Sequence, residues 1–460
     1  MASLALLPAL AGAADAPPTP DKGDTAWMLT STVLVILMTI PGLALFYGGM
    51  VRVKSVLNIM MMSFGCLAAV TILWVLYGYS LAFAPDAALG LIGDLRHVGF
   101  AGIEPGTLQH SVPASVFAAF QLMFAAITAA LLSGAIADRA KFASWICFVV
   151  AWTTLVYIPI AHWVFAPDGW ITVHLRVLDL AGGTVVEINS GASGLALALV
   201  LGPRLGFRSD PMRPHSLPLV VLGAGLLWFG WFGFNAGSAL AADGAASMAL
   251  LNTQVSGATA VAGWLVVERI RYGKATTLGA ASGAVAGLVA ITPACGSVNP
   301  LGAMLIGLAA GLACSYAVGL KYRLGYDDSL DVAGVHGVGG VTGMLLIGVL
   351  ATAAVTGHDR GLAFGGGTGL LARQAAAALV VAVYAFGLTW LIAMAIQRTI
   401  GFRADQEHER SGLDLAVHGE SAYELSTAHG GHLTGTAAAA QPPSTAQPGA
   451  PAPRSTVDSQ

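Results

Sequence analysis

From about residue 25 to residue 400 the chain alternates long apolar stretches with short polar breaks. Each stretch has about the 20 residues that an α-helix needs to cross the hydrocarbon of a bilayer. The pattern predicts helices near 27–50, 56–83, 113–136, 142–165, 180–202, 216–236, 248–270, 277–294, 299–320, 331–354 and 373–397. These are eleven spans, and the one at 277–294 is short and rich in Gly and Ala. The fold class is therefore an all-α polytopic membrane protein. Residues 1–20 hold an apolar run from Leu4 to Leu10, then small residues and the segment Pro17 to Pro20. They read as the remnant of a signal peptide with a cleavage region near Ala11 to Ala16. A membrane domain over 25–400 follows. Beyond it a polar tail over 401–425 passes into 426–460, a segment of Ala, Pro, Thr, Ser and Gln expected to be disordered.

Composition sharpens this picture. Hydrophobic residues make up 56% and charged ones 10% of the chain, against roughly 25% charged in a soluble domain. The 58 glycines suit helices that approach closely within a membrane. A net charge of -3 gives no footprint for nucleic acid. Cys66, Cys147, Cys295 and Cys314 all fall in apolar runs without Cys-x-x-Cys spacing, and read as inert buried thiols.

Basic residues set an orientation. With the amino terminus outside, sixteen of the 21 Lys and Arg fall in inner loops or the tail, including Arg52, Arg139, Arg204, Arg271, Lys321 and Arg403. Only Lys22, Arg96, Arg176, Arg360 and Arg373 stay outside. That is a positive-inside bias, and an odd number of spans then leaves the carboxyl terminus in the cytoplasm. Weak internal symmetry accompanies it. Asp179-Leu-Ala-Gly182 opens the fifth span and Asp331-Val-Ala-Gly334 the tenth. Two inverted five-helix repeats plus an eleventh helix would explain this, with a transport path at the repeat interface.

Ionisable groups inside membrane spans are costly and mark function. Here they are His162, Asp179, Glu187, Asp331 and His336. Asp179 and Asp331 sit at helix starts, where a carboxylate caps backbone N–H groups; Asp179 can also add negative potential for a cation. Asp179 and Glu187 are placed on one helix face, about two turns apart. Glu187 and His336 lie within spans among small neighbours, where they can hydrogen-bond and hold a proton as a coupled pair. As a metal set they are poor. Phe120 and Phe124 are one turn apart, and Trp231, Phe234 and Ser238 share a glycine-flanked run. Ring faces attract ammonium-type cations, and a serine hydroxyl can accept one of their hydrogen bonds. The same spacing also serves helix packing.

Six ordered stretches resemble the Amt/MEP/Rh ammonium transporter family, bacterial Amt type. They are Met38 to Gly49, Tyr157 to His162, Asp179 to Val186, Trp231 to Ser238, Ile291 to Gly296 and Gly334 to Gly340. The resemblance runs from about 25 to 425. It implies a homotrimer in the cell inner membrane, each protomer with a narrow apolar pore for ammonium or ammonia, with no cofactor and no enzymatic activity. By it, Phe120, Phe124, Phe165, Trp231 and Ser238 form an outer substrate site. Phe124 and Phe234 form a gate; Glu187, His336, Phe46 and Thr292 lie along the pore; Asp179 supports the site from behind. The tail from Gly401 to Tyr423 resembles the family's cytoplasmic segment, which couples protomers and assists regulation by PII-type proteins. Two departures stand out. Glu187 replaces the first pore histidine, and Phe165 replaces a tryptophan of the vestibule. An ammonium sensor and an intramembrane enzyme are the rival readings. The low-complexity tail argues against the first, the lack of convergent ligands against the second.

Overall fold

The computed structural model describes residues 19–423. The expected signal-peptide remnant falls almost wholly outside these residues, as does the expected disordered tail. The described residues up to Ala422 form one compact unit.

Ten helices among the described residues are long and apolar enough to cross a membrane. They are α1 (Lys22–Met50), α2 (Val53–Phe83), α3 (Ala114–Ile136), α4 (Phe142–Phe165), α5 (Gly183–Leu201), α6 (Leu217–Gly237), α7 (Gly244–Tyr272), α9 (Pro300–Leu324), α10 (Ala333–Leu350) and α11 (Gly369–Thr399). The helix at the short span, α8 (Thr277–Ile291), has 15 residues and is apolar but shorter than the rest. A short α12 (Gln406–Ser411) follows in the tail. The periodicity misses the 84–113 connection, where a two-stranded ribbon pairs Leu108–Gln109 with Val112–Pro113.

Burial sorts the helices. In its most apolar window α3 is 89% buried and α11 only 28%. A helix that is apolar all round and enclosed belongs to the core, whereas an apolar exposed one faces lipid. Cys147 follows the second pattern. It lies with Ala143 and Val150 on the open face of α4 and is exposed, unlike Cys66, Cys295 and Cys314, so the expectation of four buried thiols is corrected.

Helix α1 lies on α6, and α5 lies across α10. Small residues permit the second crossing. A Cβ on Gly191 would stand 2.2 Å from Gly337 Cα, and one on Gly340 would stand 2.8 Å from Glu187 Cβ. Helix α11 packs outside the pair, against α5 and α10.

Candidate functional site

Glu187 and His336 meet at that crossing. His336 Nδ1 lies 2.7 Å from Glu187 Oε2, across 149 residues of chain. Both side chains are buried, and Glu187 Oε1 has no partner. With Glu187 ionised, Nδ1 is the donor, and Nε2 of a neutral ring would then keep a lone pair.

The same separation of 149 relates the surroundings of the two residues. Asp179 accepts N–H bonds from Gly182, Gly183 and Thr184 at 2.6–2.9 Å, opening α5. Asp328, and not Asp331, does this for α10, accepting from Val332 and Ala333 at 3.0 and 2.8 Å. Asp331 has φ +66° and pairs instead with Lys321 at 2.6 Å. The expected Asp331 cap is thus corrected by three residues, and with it the offset expected between the two matching segments. Asp179 also stands before the helix start with its carboxylate turned back onto N–H groups, so it does not share a face with Glu187. Both π-helical openings, Gly183–Ile188 and Ala333–Gly337, follow these caps.

Of three cavities, two border the pair and one opens beside Phe165 and Ser238. This last one, a mouth with about 210 Å³ for the centres of water-sized molecules, is lined among others by Phe83, Gln121, Phe165, Leu180 and Ser238. Behind it Phe124 and Phe234 stack face to face, centroids 4.0 Å apart and planes at 14°. Phe120 touches Phe124 at 4.8 Å, and Phe165 meets it edge-on at 6.4 Å. Beyond the stack lies a narrow cavity bounded by Phe46, Glu187, Trp231, Phe234 and His336, with only about 10 Å³ for such centres, close to the least that holds one water. A third of similar size shares Phe46 and His336 and reaches Asp331.

Trp231 therefore sits on the far side of the Phe124–Phe234 stack from Ser238, not at the mouth with it. The two are seven residues apart on one helix course, about 10 Å of rise. The Trp231 indole N–H donates to Thr292 Oγ1 at 2.9 Å, so Thr292 orients Trp231 from behind and is not among the residues lining any of the three cavities. Phe120 is fully buried and likewise absent from the mouth lining. Ser238 donates to the Phe234 carbonyl at 2.8 Å, which leaves its oxygen free to accept.

Sequence reasoning missed Gln121, whose buried Oε1 is unpartnered while the residue lines the mouth. A polar amide within an apolar span, next to Phe120, was the available signal. It also missed Asp328, hidden in an Asp-Asp pair three residues before the more conspicuous Asp331. No group of three or more His, Cys, Asp or Glu able to hold a metal is present among the described residues.

A family profile described as Ammonium Transporter Family matches residues 26–423. A Mycobacterium tuberculosis protein named ammonium transporter is 53% identical over 443 residues, covering 90% of this chain and 93% of its own. The solved structure of Saccharomyces cerevisiae Mep2 superposes with a TM-score of 0.81 at 36% identity, over 89% of this chain and 93% of that one. A structure titled Sensor Amt Protein gives 0.78 at 29% identity, over 86% and 98%.

Proposed function

The chain belongs to the ammonium transporter family, and from that premise we propose how its own residues move the substrate. It is a multi-pass membrane protein that transports ammonium. In our reading α8 is the eleventh crossing, the amino terminus lies outside, and the Arg-rich loops and tail lie in the cytoplasm of a cell whose inner membrane holds a homotrimer. Membrane domain 25–400 carries the pore, and the tail from Gly401 to Ala422 serves beneath it as a surface for a PII-type regulator.

Ammonium enters the mouth, where the Phe165 face attracts the cation and the oxygens of Ser238 and Gln121 accept its hydrogens. The stacked Phe124 and Phe234 bar the way to water. A bare cation in the bilayer core costs at least about 2.5 kcal/mol, so ammonium that slips past the stack hands its proton to the first base it meets there and goes on as ammonia. Trp231 and Phe46 supply apolar walls. The observation that carries this reading is the 2.7 Å bond between His336 and Glu187 on the wall shared by two cavities. His336 Nε2 takes the proton, Glu187 stabilises the resulting imidazolium, and the pair releases the proton toward Asp331. A carboxylate here lets the loaded pair be neutral, which two imidazoles could not be.

Solid-supported-membrane electrophysiology with ammonium jumps at several pH values tests this. Glu187→Gln should lower the current or flatten its pH dependence while the protein remains folded. An unchanged electrogenic current would remove Glu187 from the proton route. The rival sensor reading shares the fold, but the two cavities that border the Glu187–His336 pair favour passage.

A further inference from the structure

His162 takes no part in the route above, yet it is fully buried and has an unpartnered ring nitrogen. Its Nδ1 lies 2.9 Å from the Ala82 carbonyl. A carbonyl only accepts, so Nδ1 holds a hydrogen. In a neutral ring Nε2 would then present a lone pair. What it faces are two carboxylates, Asp86 Oδ1 at 3.5 Å and Asp168 Oδ1 at 3.9 Å. The ring is buried while the two aspartates are partly exposed; an acceptor nitrogen facing two anions is repulsive, and a second ring proton turns the same geometry into two ion pairs. Asp86 is held below the ordinary carboxylate range, first by the Gly90 N–H and further by the His162 charge.

The two aspartates close identical segments. Phe83-Ala-Pro-Asp86 follows α2, and Phe165-Ala-Pro-Asp168 follows α4. The corners are tied to each other, since the Asp86 N–H donates to Asp168 Oδ2 at 2.6 Å and the Trp170 N–H to the Gly90 carbonyl at 3.0 Å. Phe83, Phe165 and Pro167 all line the mouth cavity. His162 thus stands behind the wall that these corners build, bonded to the Ala82 carbonyl just before the first corner and facing the carboxylates of both.

We propose that His162 is a positioning residue of the mouth: as an imidazolium it draws the two Phe-Ala-Pro-Asp corners together and fixes the spacing of Phe83 and Phe165, and loss of its proton loosens them. The inference rests on the reading of this cavity as the recruitment site. Its consequence is a pH-dependent affinity for ammonium that originates outside the pore.

The test measures half-saturating free ammonium and maximal current in wild type, His162→Gln, the double variant Asp86→Asn with Asp168→Asn, and all three combined. At about pH 6, His162→Gln and the double variant should each raise half-saturation roughly threefold or more with maximal current retained, a KM effect rather than a kcat effect. Because the three groups act as one unit, the triple variant should lose no more than either parent. Wild type should climb to the variants' value as the pH is raised, while the variants stay flat. Additive losses, or a wild type as flat as His162→Gln, would overturn the proposal. If His162→Gln fails to fold, the double variant carries the same comparison against wild type. A chelator that shifts wild type to the variant value would show that a bound divalent cation, not a proton, joins the corners, and would equally overturn it. Ser238→Ala separates the two levels. If it raises half-saturation while the His162 set does not, only the clamp fails; if it has no effect, the reading of the mouth fails first.

Discussion

Ser238 contributes to recruitment through a single lone pair, because its hydrogen is committed to the Phe234 carbonyl. Ser238→Ala removes that acceptor without touching the stack. A hydrogen bond to a charged group is worth about 1.5–3 kcal/mol, and less at a wet mouth. We therefore expect a rise of roughly fivefold in half-saturating ammonium, with maximal current preserved, read from ammonium-jump currents; equal affinity in the variant would take Ser238 out of the site. Gln121→Leu should act in the same direction, since its Oε1 is the other unclaimed acceptor there. The residues of this site were unequally visible in the sequence. Glu187 and His336 announced themselves as ionisable groups among small neighbours, a local property. Trp231 did not reveal its depth, because depth depends on which side of the Phe124–Phe234 stack a ring falls, and that stack joins α3 to α6.

At the scale of helices, the glycines of the α5–α10 crossing set the distance between the paired groups. A Cβ on Gly191 would press on backbone atoms of Gly337 at 2.2 Å, and backbone cannot turn aside as a flexible side chain can. Gly191→Ala should separate the helices, cost about 1–3 kcal/mol as overpacking does, and break the Glu187–His336 bond. Thermal unfolding in detergent should shift downward and current should fall together. Gly387→Ala, on α11, is the control, because nothing lies within 4 Å of its added Cβ. A Gly191→Ala protein as stable and active as that control would contradict this account of the crossing. The spans themselves were legible, because apolar length is written directly in the chain. The offset between the two matching segments was not. Asp-x-Ala-Gly recurs at one offset, while the capping carboxylates and the paired groups recur at another, and only the folded N–H positions decide between them.

The whole molecule closes at its Arg-rich end through buried charge. Arg204 is held by Asp327 at 2.9 Å and by Asp138 at 3.2 Å, and fully buried Arg139 donates to the carbonyls of Ala135 and Asp327. The tail enters the same network. Glu409 pairs with Arg403 at 2.9 Å and accepts the Leu205 N–H at 2.6 Å, while Asp414 accepts the N–H groups of Leu57 and Asn58 at the start of α2. Charge counting located these residues at one end of the helices, but their pairing joins segments distant in sequence and could not be read locally. Burial works to raise the Asp327 pKa, yet the hydrogen bonds and charge of Arg204 outweigh it and hold the carboxyl below its ordinary 3.8. A depressed folded-state pKa stabilises the fold at every pH above the unfolded value and loses that contribution as pH falls through the folded one. Asp327→Asn leaves a buried guanidinium short of its partner and should cost about 3–5 kcal/mol at neutral pH. The gap in unfolding temperature between wild type and Asp327→Asn should stay constant from about pH 8 down to about pH 5 and narrow only below about pH 4, as the wild-type carboxyl takes up its proton. A gap that narrowed already near neutral pH would mean that Asp327 does not hold its charge against Arg204, and that the Arg-rich end is closed by other contacts.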